Sequence, residues 1–127
     1  MSVAPGLVLA IDQGTTGSTA ILVDERLEVR GKATTEFPQH YPKPAWVEHH
    51  PEEIWASVQA SVAVALRQAH VDAGQIRAIG ITNQRETTVV WDAATGAPVA
   101  DAIVWQDTRT RPIIDALAAA HPLGTER

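Results

Sequence analysis

The sequence predicts an α/β domain built on a mixed sheet with flanking helices, and three observations carry that prediction. Leu7 to Val23 reads LVLAIDQGTTGSTAILV, two apolar runs around a polar turn, which is the pattern of a β-hairpin. A third strand and then a segment with apolar residues at every fourth position follow it. Ile76 to Thr82 (IRAIGIT) is a run apolar enough for a central strand. The order is therefore βββ-α-β, and because the expected βαβ continuation is missing the sheet is expected to be incomplete.

In chain order, Asp24-Glu25-Arg26 is a polar turn, and Leu27, Val29 and Lys32 to Phe37 read as the third strand. Residues 38–51 hold Pro38, Pro42, Pro44 and Pro51, which exclude regular helix. Tyr41 and Trp46 are expected to anchor this segment by burial. His50 is the N-cap and Pro51 the first residue of a helix with Glu52 and Glu53 in its first turn. Its stripe is Ile54, Val58, Val62 and Leu66, widened by Trp55 and Ala65, and it fades between His70 and Gly74. A polar corner, Asn83-Gln84-Arg85-Glu86, ends the next strand. Thr87 to Trp91 is β-branched and predicts a strand, Thr95-Gly96 a turn, and Val99 to Val104 a returning strand. Thr108 is the expected N-cap of a last helix through Ile113, Ile114 and Leu117. Residues 121–127 offer no closing strand, and the chain is expected to be a truncated piece, 1–127, of a larger domain.

Composition narrows the function. The 127 residues are 45% hydrophobic and 20% charged, ordinary for a globular protein with a modest core. A net charge of −5 and no basic run argue against nucleic acid and anionic membrane as partners. Cysteine is absent, which excludes disulfides and thiolate metal sites and fits a cytoplasmic setting. No signal peptide and no stretch of membrane-spanning length is legible.

Three constellations carry chemistry. In the first, Asp12, Gln13, Gly14, Thr15, Thr16, Gly17 and Ser18 form the hairpin turn. Its glycines allow close approach of a ligand, its hydroxyls and backbone N–H groups suit phosphate, and Asp12 suits hydrated Mg²⁺. A plain polar turn with a strand-ending Asp is the other reading. It is not a Walker A loop, because no Gly-Lys-Ser/Thr follows, nor a dinucleotide fingerprint, because it joins two strands. The second is Arg85-Glu86 at a strand's carboxyl end, where open sheets collect ligands. A donor fork beside an acceptor pair suits polyol hydroxyls; a solvated ion pair is the alternative. The third is Trp105, either a pocket wall or plain core. The histidines show no metal-ligand spacing: His49 and His50 are adjacent, and His40, His70 and His121 have no partner in sequence. No zinc site is expected.

Together the stretches Asp12 to Thr16, Phe37 to Pro44, Trp46 to His49, Pro51 to Trp55, Gly80 to Asp92 (GITNQRETTVVWD) and Ala102 to Thr110 (AIVWQDTRT) resemble the N-terminal part of the glycerol kinases. These belong to the FGGY carbohydrate kinases, of the ribonuclease H-like actin, hexokinase and Hsp70 superfamily. The resemblance runs from Leu7 to Thr110. It implies MgATP-dependent phosphorylation of glycerol at its 3-hydroxyl. It also implies Mg²⁺ at Asp12, nucleotide contacts from Gly14, Thr15, Thr16 and Gly17, glycerol contacts from Arg85 and Glu86, and Trp105 beside the glycerol carbons. Complete members are expected to be homo-oligomers. Four positions depart from the pattern: Gly17 and Thr19 stand where Ser and Arg are usual, Ala45 for Gly, and His50 for Asp. No catalytic base is assigned within the chain; the resemblance places it, with a further glycerol-binding Tyr, beyond Arg127. The chain alone is expected not to turn over glycerol. Another FGGY sugar kinase, or a non-catalytic nucleotide-binding or interaction module, is the alternative.

Overall fold

In the computed structural model, residues 6–121 are described, so the expectations for residues 1–5 and 122–127 lie outside them. The hairpin forms as expected: β1 (Leu7–Gln13) runs antiparallel to β2 (Gly17–Val23), with Asp12 opposite Thr19. β3 (Val29–Glu36) pairs antiparallel with β2. Leu27 does not join β3. It lies in the left-handed region at φ 63 and is 84% exposed, closing the turn that Asp24 Oδ1 caps by accepting from the N–H groups of Arg26 and Glu28.

After the short β4 (Glu48–His49) comes α1 (Pro51–Ala69), with His50 as N-cap. His50 makes no side-chain capping bond, in line with its weakness at that position. His70 ends the helix in the left-handed conformation, its N–H returning to Arg67 and Leu66 carbonyls. A single 3-10 turn, Ala73–Gln75, leads into β5 (Ile76–Asn83). β5 lies parallel to β1, so α1 is the crossover from β3 to β5, and the sheet order is β3-β2-β1-β5.

The core is Leu7, Leu9, Ala20, Leu22 and Ala65, with Ile11, Val62 and Leu66 packed on it. The helix buries Ser57, Ser61 and Ala65 most completely, not the large apolar stripe, and Trp55 is 61% exposed. Close approach is the reason. A Cβ on Gly31 of β3 would stand 2.3 Å from the Ala65 carbonyl oxygen, so only small residues fit along the contact. The serines are paired there: Ser61 Oγ donates to the Ser18 carbonyl at 2.7 Å, and the Ser18 and Ser57 hydroxyls meet at 2.7 Å.

Five further expectations are corrected. β5 is an edge strand among the described residues, not a central one, and Ile79 and Ile81 are exposed because α1 lies over β2 and β3. Thr87 to Trp91 forms only isolated bridges, Thr88 with Ile103 and Trp91 with Pro98. Of Val99 to Val104, only β6 (Ala102–Ile103) is strand, pairing with β4. The last helix, α2 (Arg111–Ala120), has Thr110 rather than Thr108 as N-cap. Tyr41 is exposed, whereas Trp46 packs beneath the Arg109 guanidinium at 3.6 Å.

Candidate functional site

β1 ends at Gln13 and β2 starts at Gly17, so Gly14, Thr15 and Thr16 alone join them. Gly14 N–H donates to the Gly17 carbonyl at 2.9 Å, which makes the connection tight. Parallel pairing sets the end of β5 beside the end of β1, with Gln13 level with Asn83. Gln84 N–H then donates to the Gln13 carbonyl at 2.7 Å, and the chain turns through Arg85 and Glu86 next to the hairpin turn. Glu86 takes φ 67, a left-handed conformation that costs a non-glycine residue about 1–2 kcal/mol. Backbone strain of this kind concentrates where a side chain must be aimed.

Trp105 follows β6 and completes the site. Its backbone N–H donates to Thr87 Oγ1 at 3.3 Å, and its indole Nε1–H donates to Thr15 Oγ1 at 2.8 Å. Having accepted that bond, the Thr15 hydroxyl keeps its proton for a ligand oxygen. The outcome is an open groove of about 550 Å³ lined by Thr15, Asn83, Gln84, Arg85, Glu86 and Trp105. Among the described residues Arg85 is its only cationic lining residue. Among the described residues neither Arg85 nor Glu86 is in an ion pair. Trp105 is 52% exposed among the described residues.

The other expected residues stand apart. Asp12 is exposed on the sheet face turned away from α1, in a neighbouring shallow groove of about 320 Å³ that includes Ala10, Thr19, Ile21, Gly80 and Thr82. Thr16 is exposed, and its carbonyl accepts from Phe37 N–H at 3.3 Å. Gly17 lies against β3: a Cβ there would meet the Thr35 carbonyl oxygen at 2.6 Å. Thr19, where the resemblance has a cation, shares a 2.8 Å hydroxyl contact with Thr34.

Two clusters that hold the groove escape the sequence reading. His49 is fully buried. One ring nitrogen meets Gln39 Oε1 at 2.7 Å and the other meets Gln84 Nε2 at 3.3 Å, while Phe37 packs edge-on at 4.9 Å. Gln39 Nε2 in turn donates to the Thr15 carbonyl at 3.0 Å. Burial holds the His49 imidazole below its usual pKa, so it is neutral here. Asp107 forms the second cluster, accepting from Arg109 (2.6 Å at the shortest) and from Val47 N–H at 2.7 Å. The Arg109 bonds hold its carboxyl down at about 2, and Arg109 reaches on to Glu48 at 2.8 Å. This clamp ties the proline-rich segment to the turn after Trp105. The signal was present in the sequence, since His49 and Asp107 lie inside the quoted motifs, but nothing local distinguished a buried histidine from a surface one.

The description that matches residues 7–124 is the FGGY family of carbohydrate kinases, N-terminal domain. The chain belongs to the FGGY family. It is 56% identical over 115 residues to the glycerol kinase of Chelativorans sp., covering 91% of this chain and 23% of that protein. With the glycerol kinase of Rhizobium rhizogenes it shares 59% identity over 112 residues, 88% of this chain and 22% of the relative. Among solved structures, Plasmodium falciparum glycerol kinase with ADP superposes with a TM-score of 0.81 at 34% identity, over 92% of this chain and 24% of that one. A xylulose kinase from Rhodospirillum rubrum gives 0.79 at 28% identity, over 90% and 23%. The chain thus spans about a quarter of the length of the relatives it matches. The fold is the actin- and hexokinase-like α/β fold of these FGGY sugar kinases.

Proposed function

We propose that this chain carries the polyol-contacting and phosphate-contacting groups of an ATP-dependent kinase that phosphorylates glycerol at its 3-hydroxyl. The observation that carries the reading is the 2.8 Å bond from Trp105 to Thr15, which joins the hairpin turn to the Arg85–Glu86 corner around one groove. Similarity to glycerol kinases at 56–59% identity supports glycerol over a larger sugar. Arg85 donates to glycerol hydroxyls, Glu86 accepts from them, and the Trp105 ring rests against the carbon chain. Thr15 and Thr16, with the Gly14–Gly17 backbone, meet the nucleotide phosphates.

Asp12 fits a hydrated Mg²⁺ in chemistry: a carboxylate flanked by the Thr19 and Thr82 strand positions offers only hard oxygen donors. Mg²⁺ when bound supplies charge neutralisation on the transferring phosphoryl group. The chain's own residues position the acceptor hydroxyl. None of them serves as catalytic base, because Asp12 and Glu86 already hold metal and polyol. The base, a cytoplasmic setting and any oligomer are parts of the proposal for the whole protein.

Calorimetric titration of this chain with glycerol, xylulose and MgADP tests the reading. Glycerol is expected to bind in preference to xylulose, and Arg85→Ala to weaken it by roughly 10–100-fold, the loss of charge-assisted hydrogen bonds. A preference for xylulose moves the substrate to another sugar, and binding of neither polyol nor nucleotide favours an interaction module. A coupled assay with ATP and glycerol is expected to stay at background; turnover abolished by Asp12→Ala would show that the chain has its own base.

A further inference from the structure

The structure gathers histidines that lie apart in sequence. His40 ends the first part of the proline-rich segment, bridged to Glu48 of β4, while His50 and Glu53 begin α1. One donor atom from each of His40, His50 and Glu53 comes within 4.8 Å of the others. His40 Nε2 lies 2.8 Å from Glu53 Oε2, and the two imidazole rings are 3.9 Å apart between centroids. Asp101, arriving from the loop before β6, pairs with His50 Nδ1. All four side chains are half-buried, with 30–40% exposure for the ring, carboxylate and partner groups, so an ion from solvent can reach them. Spacing in sequence conceals this grouping: the bridge of His40 to Glu48 and the start of α1 bring His40, His50 and Glu53 together, and the β4–β6 pairing brings Asp101 beside them.

We propose that His40, His50 and Glu53 form a binding site for a divalent first-row transition ion, best satisfied by Zn²⁺. Two imidazoles and one carboxylate are the donor set that Zn²⁺ takes when a fourth position is left to water. A hard ion such as Mg²⁺ prefers oxygen ligands and is disfavoured by two nitrogens. With Nδ1 engaged by Asp101, the lone pair of His50 resides on Nε2. A carboxylate on the second nitrogen is the usual outer partner that fixes a metal-binding imidazole. The site is separate from the groove: none of these residues lines it. Zn²⁺ there would staple the proline-rich segment to the start of α1 and to the Asp101 loop. Of the four groups only Asp101, the outer partner of His50, is distant in sequence.

The test is a Zn²⁺ titration of metal-stripped protein against a chromophoric chelator, with Co²⁺ absorption as a second readout. One Zn²⁺ per chain is expected, with a dissociation constant below about 10 μM, and Co²⁺ should give the visible bands of a four- or five-coordinate nitrogen and oxygen site. His40→Ala, and His50→Ser (which retains an N-cap residue), should each weaken binding at least tenfold. Asp101→Asn should weaken it by roughly 10-fold, and His70→Ala should leave it unchanged. Zn²⁺ should also raise the melting temperature of the wild type but not of His50→Ser. Binding of less than half an equivalent at 100 μM Zn²⁺ overturns the proposal on wild-type protein alone. So does stoichiometric binding that survives loss of both histidines.

Discussion

At the scale of single residues, two positions show how local conformation and charge are paid for. Ala45 lies at φ 69, where glycine is at ease and alanine is strained by about 1–2 kcal/mol. The resemblance has glycine there, and the structure supplies the reason. Ala45→Gly is expected to stabilise the chain by about 0.5–1 kcal/mol, the strain relieved less the added freedom of the unfolded backbone, as read by urea denaturation. Asp107 has a folded pKa of about 2, against 3.8 when free, chiefly because Arg109 bonds to it. Its contribution is therefore complete above pH 4 and fades as pH falls towards 2. It amounts to about 1–2 kcal/mol after allowance for solvent screening. Asp107→Asn should be less stable than wild type at pH 6 by that amount, and the gap should narrow steeply between pH 4 and pH 2. A gap that persists unchanged to pH 2 would contradict the assignment.

Among the elements, the contact of α1 with β2 and β3 is the one most sensitive to size. Gly31→Ala sets a methyl group against the Ala65 carbonyl and should cost about 1–3 kcal/mol, visible as a lowered denaturation midpoint. Gly17→Ser introduces the residue that the resemblance has there, yet its Cβ meets the Thr35 carbonyl oxygen at 2.6 Å. It is expected to destabilise the β2–β3 pairing by a similar amount, and to do so without tightening nucleotide binding; a gain in MgADP affinity at unchanged stability would show that β3 yields. The hairpin, α1 and β5 were legible from hydrophobic period and capping, since each pattern extends over several residues. Thr87 to Trp91 was not: β-branched residues favour extended backbone, but a ladder needs a partner, and here only Ile103 and Pro98 offer one bridge each.

For the molecule as a whole, exposed apolar area is the dominant fact. Ile79, Ile81, Trp91, Ile113, Ile114 and Leu117 are all more than half exposed, and no described strand pairs with the outer edge of β5. An unpaired edge beside apolar side chains favours association. The isolated chain is expected to self-associate in sedimentation, with mass rising over the micromolar range; a single monomeric species throughout would contradict this.

Local pattern sufficed for the order of hairpin, β3, α1 and β5, the tight hairpin turn, the polar corner at Arg85-Glu86 and the family, because these rest on residues adjacent in the chain. Tertiary structure alone decided which of them meet. Parallel pairing of β1 with β5 set the corner beside the turn, the Trp105–Thr15 bond closed the groove, and Asp12 was left on a neighbouring face. The bridge of His40 to Glu48 and the start of α1 drew His40, His50 and Glu53 together. Side-chain alternation along a strand is a local property, but which face is covered, and by what, depends on where α1 comes to lie.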